Sequence, residues 1–141
     1  MTDLLSSGFN ELIGFTIDEW REDYVCLGLV IEDRHRNRSG TVHGGVLAAL
    51  LDAAGGFAGC FCTVDGNVRK AMTLSLATNF TGQARDGRIH VIATRKAGGR
   101  KIFFIQADVF DSEENLLATA QGTYRYRSGS ESPEGLPVTD A

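Results

Sequence analysis

Proline is nearly absent, and cysteine is too sparse to build with. The two prolines, Pro133 and Pro137, both fall near the C-terminus, so nothing in the preceding chain reads as a linker, and 141 residues are most simply one domain. The three cysteines, Cys26, Cys60 and Cys62, are odd in number and lack metal-ligand spacing, which argues against a disulfide framework or a metal centre. If Cys60 and Cys62 both lie on a helix, they sit roughly 200° apart around it and cannot share a face. They read as reduced, buried thiols of a cytoplasmic protein. Basic charge is also short. Lys and Arg total 14 against 18 Asp and Glu, and the net charge of −4 argues against a general nucleic-acid binder. The start, MTDLLSSGFNELIG, has neither a basic segment nor an apolar core, so no secretory signal is expected. No metal and no resident cofactor are suggested.

One stretch nearly lacks charge. From Val46 to Val64 the sequence is VLAALLDAAGGFAGCFCTV, and Asp52 is its single charged residue. Burying an unpaired carboxylate costs several kcal/mol or drives its pKa upward, so a chain that keeps one there has a use for it. The run has almost the length of a membrane span. A central Asp and the glycines Gly55, Gly56 and Gly59 argue instead for a helix packed closely on a sheet, with no membrane partner.

Around this run the periodicities predict a short amphipathic helix over 3–14, with Leu4, Leu5, Phe9, Leu12 and Ile13 on one side. Period-two alternation predicts a strand over 24–31. A basic loop, EDRHRNRSG, leads into the apolar helix over 44–63. Four more strands follow, over 72–80, 89–94, 103–109 and 117–124. The links at 82–87, 98–100 and 111–115 are short and predict antiparallel neighbours. Residues 128–141 have no apolar period and read as a disordered tail. The expectation is an α+β fold in which a five-stranded antiparallel sheet wraps one long central helix.

The residues just before the run are Thr41-Val42-His43-Gly44-Gly45. Gly44 and Gly45 put unobstructed N–H groups at the helix start, where the dipole favours developing negative charge. Asp52 lies roughly 12 Å further along the axis. One helix therefore cannot bring its own N-terminus and its own Asp52 to one reacting carbon, whereas two antiparallel copies across a two-fold axis can. If the run is catalytic, the protein is expected to be at least a homodimer with composite sites.

Asn37, Gly40, His43, Gly44 and Gly45 followed by Asp52, then Thr73-Leu74-Ser75-Leu76 with Phe80 and the closing Ala118-x-Ala120-x-Gly122-Thr123-Tyr124, closely resemble the hot-dog-fold acyl-CoA thioesterases of the phenylacetate-degradation (PaaI-like) type. The resemblance spans about residues 8–127. It implies that Asp52 activates water or attacks the thioester directly. It also implies that the Gly44 N–H polarises the carbonyl, that His43 and Asn37 orient the substrate and the helix entrance, and that Thr73 helps hold the attacking water. It further implies a double hot-dog dimer, often doubled to a homotetramer. A coenzyme A thioester carries several phosphate charges, so Arg95, Gly99, Arg100 and Lys101 are candidate substrate contacts together with Gly45. Two other readings compete with hydrolysis: a hot-dog dehydratase or hydratase acting on acyl thioesters, and a non-catalytic acyl-CoA-binding module.

Overall fold

The computed structural model describes residues 7–140. Helix α1 (Gly8–Ile13) begins at Ser7, whose side chain caps the Asn10 N–H, and ends at Gly14 in the left-handed region. The first part of the helix predicted over 3–14, with Leu4 and Leu5, lies outside the described residues. Strands β1 (Thr16–Arg21) and β2 (Tyr24–Val30) form a hairpin. Helix α2 (Gly44–Gly59) crosses to a short strand β3 (Asn67–Val68), followed by β4 (Ala71–Phe80), β5 (Arg88–Gly98), β6 (Ile102–Phe110), β7 (Leu116–Tyr126) and β8 (Leu136–Pro137). The main sheet is antiparallel, in the order β1-β2-β5-β6-β7-β4, with α2 packed across it. This is the hot-dog architecture.

The sheet has six strands, one more than the five read from sequence. The additional strand is β1. A bulge between Ile17 and Glu19 resets its register, so the two inward residues, Ile17 and Trp20, are three apart instead of two. No period-two pattern survives to be read. The link after β4 also departs from expectation, because it does not join neighbours: β4 pairs with β7, and β5 with β2. Its residues cross the front of α2 and are bonded along the way. Thr81 N–H and Gly82 N–H donate to the Leu117 carbonyl, Val42 N–H to Ala84, and Ile31 N–H to Gly87.

Helix α2 buries Val46, Leu47, Leu50, Leu51, Ala54, Gly55, Ala58 and Gly59 against the sheet. Ala48, Ala49, Asp52, Ala53, Gly56 and Phe57 stay only half-buried on the opposite side. A Cβ on Gly59 would run into the Phe103 ring, and one on Gly55 into Tyr124 and Ile105. The small residues therefore set how closely the helix approaches the sheet. The helix stops at Gly59 instead of 63, because its last carbonyl is taken by Tyr126 Oη at 2.6 Å and Arg69 Nη1 at 3.3 Å. Cys60 and Cys62 lie beyond it.

The segment read as a disordered tail packs on the body. Strand β8 pairs with β3, buried Ser130 accepts from the Lys70 N–H through its hydroxyl, and Arg69 donates to the carbonyls of Ser130 and Glu131 while stacking on Tyr126. Main-chain carbonyls hold this segment, and hydropathy does not register them.

Gly56 and Gly59 lie on the same helix but meet different surroundings. The nearest atom to a Gly56 Cβ is 4.0 Å away. Gly56→Ala is expected to stabilise the protein by about 0.5–1 kcal/mol through helix propensity. Gly59→Ala is expected to destabilise it by about 1–3 kcal/mol through overpacking. Urea midpoints of the two variants check the opposite signs.

Candidate active site

The start of α2 is built by its loop. Asn37 Oδ1 accepts from the N–H groups of Ser39 (2.9 Å) and Thr41 (3.2 Å), and Gly40 turns the chain with a φ of +80°. The Asn37 side-chain oxygen is thus spent on shaping the loop. His43 is the N-cap of α2, with Nδ1 accepting from Gly45 N–H at 2.8 Å. This takes Gly45 out of use as a free donor. Val46 and Leu47 N–H both return to the His43 carbonyl, which leaves the Gly44 N–H without a hydrogen-bond partner among the described residues. The Phe80 ring lies over Gly44, 3.5 Å from where a Cβ would be.

Two turns along, Asp52 sits on the open face of the helix. Its Oδ1 accepts from Thr73 Oγ1 at 2.6 Å. Tyr124 Oη lies 2.9 Å from the Asp52 main-chain carbonyl and 3.2 Å from the same Oδ1. Thr73 and Tyr124 are directly opposed across β4 and β7, so their side chains emerge together on one face. A bulge between Thr73 and Ser75 turns that end of β4 relative to the rest of the strand. Among the described residues no hydrogen bond engages Oδ2 of Asp52.

Asp52 and Thr73 line a cavity of about 620 Å³. Its apolar wall includes Ala49, Ala53, Gly56, Phe57 and Trp20, and Trp20 Nε1 fixes its ring by donating to the Phe57 carbonyl at 2.8 Å. Arg69, Lys70 and Arg127 add positive charge to the lining. The chain therefore presents a carboxylate at the wall of a cavity that is apolar on one side and has cations beside it.

The other predicted contacts lie elsewhere. Arg95, Gly99 and Arg100 border a separate cavity of about 270 Å³, together with Ala58 and Gly59 of the C-terminal end of α2. Arg95 reaches the Gly99 carbonyl at 3.2 Å and Asp23 at 3.8 Å, and Lys101 is exposed. Within one chain, then, Asp52 and Thr73 come together, while the Asn37–His43–Gly44 group and the Arg95–Lys101 group lie towards opposite ends of the helix. Sequence reasoning missed Tyr124 as a site residue, because a tyrosine in an alternating strand reads as core. The available signal was Gly122 two residues before it, since a glycine inside a strand marks a close approach.

Cys60 also lines the larger cavity, but burial pushes its thiol up from an ordinary 9.0 to about 12. It stays protonated at neutral pH and is no nucleophile there.

Chain comparisons agree with this architecture. A family model described as thioesterase superfamily matches residues 39–118. A Pseudomonas aeruginosa relative carrying an esterase name is 31% identical over 84% of this chain and 88% of its own. The 1,4-dihydroxy-2-naphthoyl-CoA hydrolase of Escherichia coli is 24% identical over 85% of this chain and 89% of its own. Among solved structures, a Haemophilus influenzae thioesterase superposes with a TM-score of 0.79 at 26% identity, covering 89% of this chain and 87% of that one. A mutant of the phenylacetic acid degradation protein PaaI from Thermus thermophilus shares the fold, with a TM-score of 0.73 at 22% identity over 84% of this chain and 98% of its own. The fold is that of the hot-dog proteins. The chain belongs to the thioesterase superfamily and is a thioester hydrolase. Among the described residues no helix is long and apolar enough to cross a membrane.

The raised Cys60 pKa carries a sign. The folded state favours the neutral thiol, so its contribution to stability is present in full below pH 9 and is lost as pH rises toward 12. Urea midpoints measured at pH 8 and pH 10.5 should fall in the wild type, and Cys60→Ala should flatten part of that slope.

Proposed function

We propose that the protein hydrolyses an acyl-CoA, with an aryl or medium-chain acyl group, to the free acid and CoA. Asp52 acts as the base or nucleophile, and the Gly44 N–H of a second copy polarises the thioester carbonyl. The observation that carries this reading is the Asp52 carboxylate on the open face of α2. One of its oxygens is tied to Thr73, the other has no hydrogen-bond partner among the described residues, and the side chain lines a cavity that also holds Lys70 and Arg127.

In the general-base form, Oδ2 of Asp52 takes a proton from water as the water oxygen bonds to the thioester carbon. The carbonyl oxygen becomes an oxyanion facing an N–H at a helix start, where dipole and donor both favour it. Collapse breaks the C–S bond. CoA leaves as the thiolate and recovers the proton from Asp52, so one water is consumed for each acid and thiol formed. Thr73 keeps the carboxylate oriented. Arg95, Gly99, Arg100 and Lys101 remain candidates for the phosphates only if a partner subunit brings the substrate past them.

The exposed surface supports the pairing. Strand β4 is one of the two edges of the sheet, the other being β1, and Met72, Leu74 and Phe80 on β4 are 43%, 51% and 56% exposed. An open edge bearing large apolar side chains invites a second strand. The half-buried face of α2 lies on the same side as Asp52 and Thr73. A homodimer joined there covers both features, and a homotetramer is its further doubling.

The test is release of free CoA from a panel of acyl-CoAs, read with a thiol reagent. Asp52→Asn should lower kcat by at least about a hundredfold. Binding without thiol release from any substrate overturns hydrolysis in favour of a binding module, and loss of an enoyl double bond without thiol release indicates a hydratase. Composite sites are tested by mixing. Gly44→Pro removes the N–H at a position where a helix tolerates proline. When inactive Gly44→Pro and inactive Asp52→Asn protomers are mixed equally, about a quarter of wild-type activity should return, because each mixed dimer holds one intact site. No recovery after demonstrated subunit exchange means that each site lies within one chain.

A further inference from the structure

Resting on the assignment of Asp52 as the reacting carboxylate, we infer that Tyr124 is its positioning residue: the phenol clamps Asp52 to its own main chain and hands the free oxygen, Oδ2, to the substrate. Tyr124 Oη lies within hydrogen-bond distance of two atoms of the same residue, the Asp52 carbonyl at 2.9 Å and Oδ1 at 3.2 Å. A donor shared between a residue's backbone and its side chain restricts rotation about the bonds that join them. Thr73, at 2.6 Å from Oδ1, supplies the second hold. Together they leave one carboxylate oxygen fixed and the other free.

The position of the phenol is built into three elements. Gly55 on α2 leaves room for Oη, because a Cβ there would collide with it. Gly122 on β7 leaves room for the ring edge, 2.8 Å from where its Cβ would sit. Phe103 on β6 stacks on the ring at a 5.1 Å centroid distance and a 9° tilt. Burial first, and then the Asp52 charge, hold the phenol pKa above its ordinary range, so the proton stays on Oη for donation. The other titratable groups lining the cavity are Cys60 from the end of α2, Arg69 and Lys70 from the segment between β3 and β4, and Arg127 from the end of β7; α1 and β1 contribute only neutral side chains. Cys60 is neutral below about 12, and Arg69 is committed to the carbonyls of Gly59, Ser130 and Glu131.

The experiment compares Tyr124→Phe, Asp52→Asn and wild type on whichever acyl-CoA the panel identifies. Loss of a donor to the carboxylate disfavours its ionised form, so the acid limb of the kcat–pH profile should move to higher pH. At neutral pH, kcat should fall about tenfold with KM within about twofold. Ile105→Val thins the packing beside the ring without touching Oη; it should lower Tm and leave the acid limb in place. 3-Fluorotyrosine installed at position 124 preserves the shape with a more acidic phenol, and it keeps the inference testable if Tyr124→Phe does not fold. It should move the acid limb to lower pH. A folded Tyr124→Phe with wild-type kcat and acid limb, or a fluorotyrosine variant with an unmoved limb, overturns the role of Tyr124 while Asp52→Asn is still inactive. An Asp52→Asn variant as active as wild type instead overturns the Asp52 assignment, and this inference falls with it.

Discussion

The close seat of α2 on the sheet is the constraint on which the rest depends. Gly55 and Gly59 face Tyr124 and Phe103 with no side chain between them, and the two rings are stacked on each other. Moving the helix outward by one methyl group would draw the Asp52 carbonyl away from Tyr124 and the Gly59 carbonyl away from Tyr126. These two phenols act at different points along the helix. One holds the Asp52 segment and the other ends the helix where the tail and Arg69 close over it. Packing and site geometry are thus set by the same glycines.

That coupling explains what could be read from the sequence and what could not. The lone Asp52 in an apolar run was legible because charge in such a run is rare, and the Gly44 donor because the first N–H groups of any helix lack partners. Thr73 was reached through family resemblance and lies 2.6 Å from the carboxylate. Tyr124 was hidden because its role comes from the register between β4 and β7 and from a glycine on another element, neither of which one strand's alternation records. Strand β1 was hidden by a bulge, and the order of the tail by bonds made to main-chain carbonyls. In each case the missing information is a pairing between distant segments.

The helix entrance shows a division of labour between two adjacent glycines. His43 and Gly45 satisfy each other through a cap, a role that sequence patterns at His-Gly-Gly do not separate from substrate binding. The cap consumes the second N–H and leaves the first. A site needing a single directed donor at the oxyanion is better served by that arrangement than by two loose N–H groups, because a fixed dipole costs no reorganisation when charge develops.

The energetic puzzle of Asp52 resolves in a way that bears on assembly. The run from Val46 to Val64 reads as wholly apolar, which suggests a helix buried all round with a charge trapped inside. The structure shows a helix buried on one side, with Asp52 on the other, half-buried and bonded to hydroxyls. The charge therefore lies on the open side of the helix and not inside the core. The cost falls instead on the apolar surface around it: Ala49, Ala53 and Phe57 remain half-covered beside a sheet edge carrying exposed Met72, Leu74 and Phe80. Apolar side chains left exposed at a sheet edge favour association with a partner. Covering them with a second copy removes that surface from water. In the proposed dimer it would also deliver the Gly44 donor that Asp52, two turns further along its own helix, lacks. The contact that would cover the hydrophobic surface is the one that would complete the proposed chemistry, which is why the proposed dimer and the proposed mechanism stand on one geometric argument.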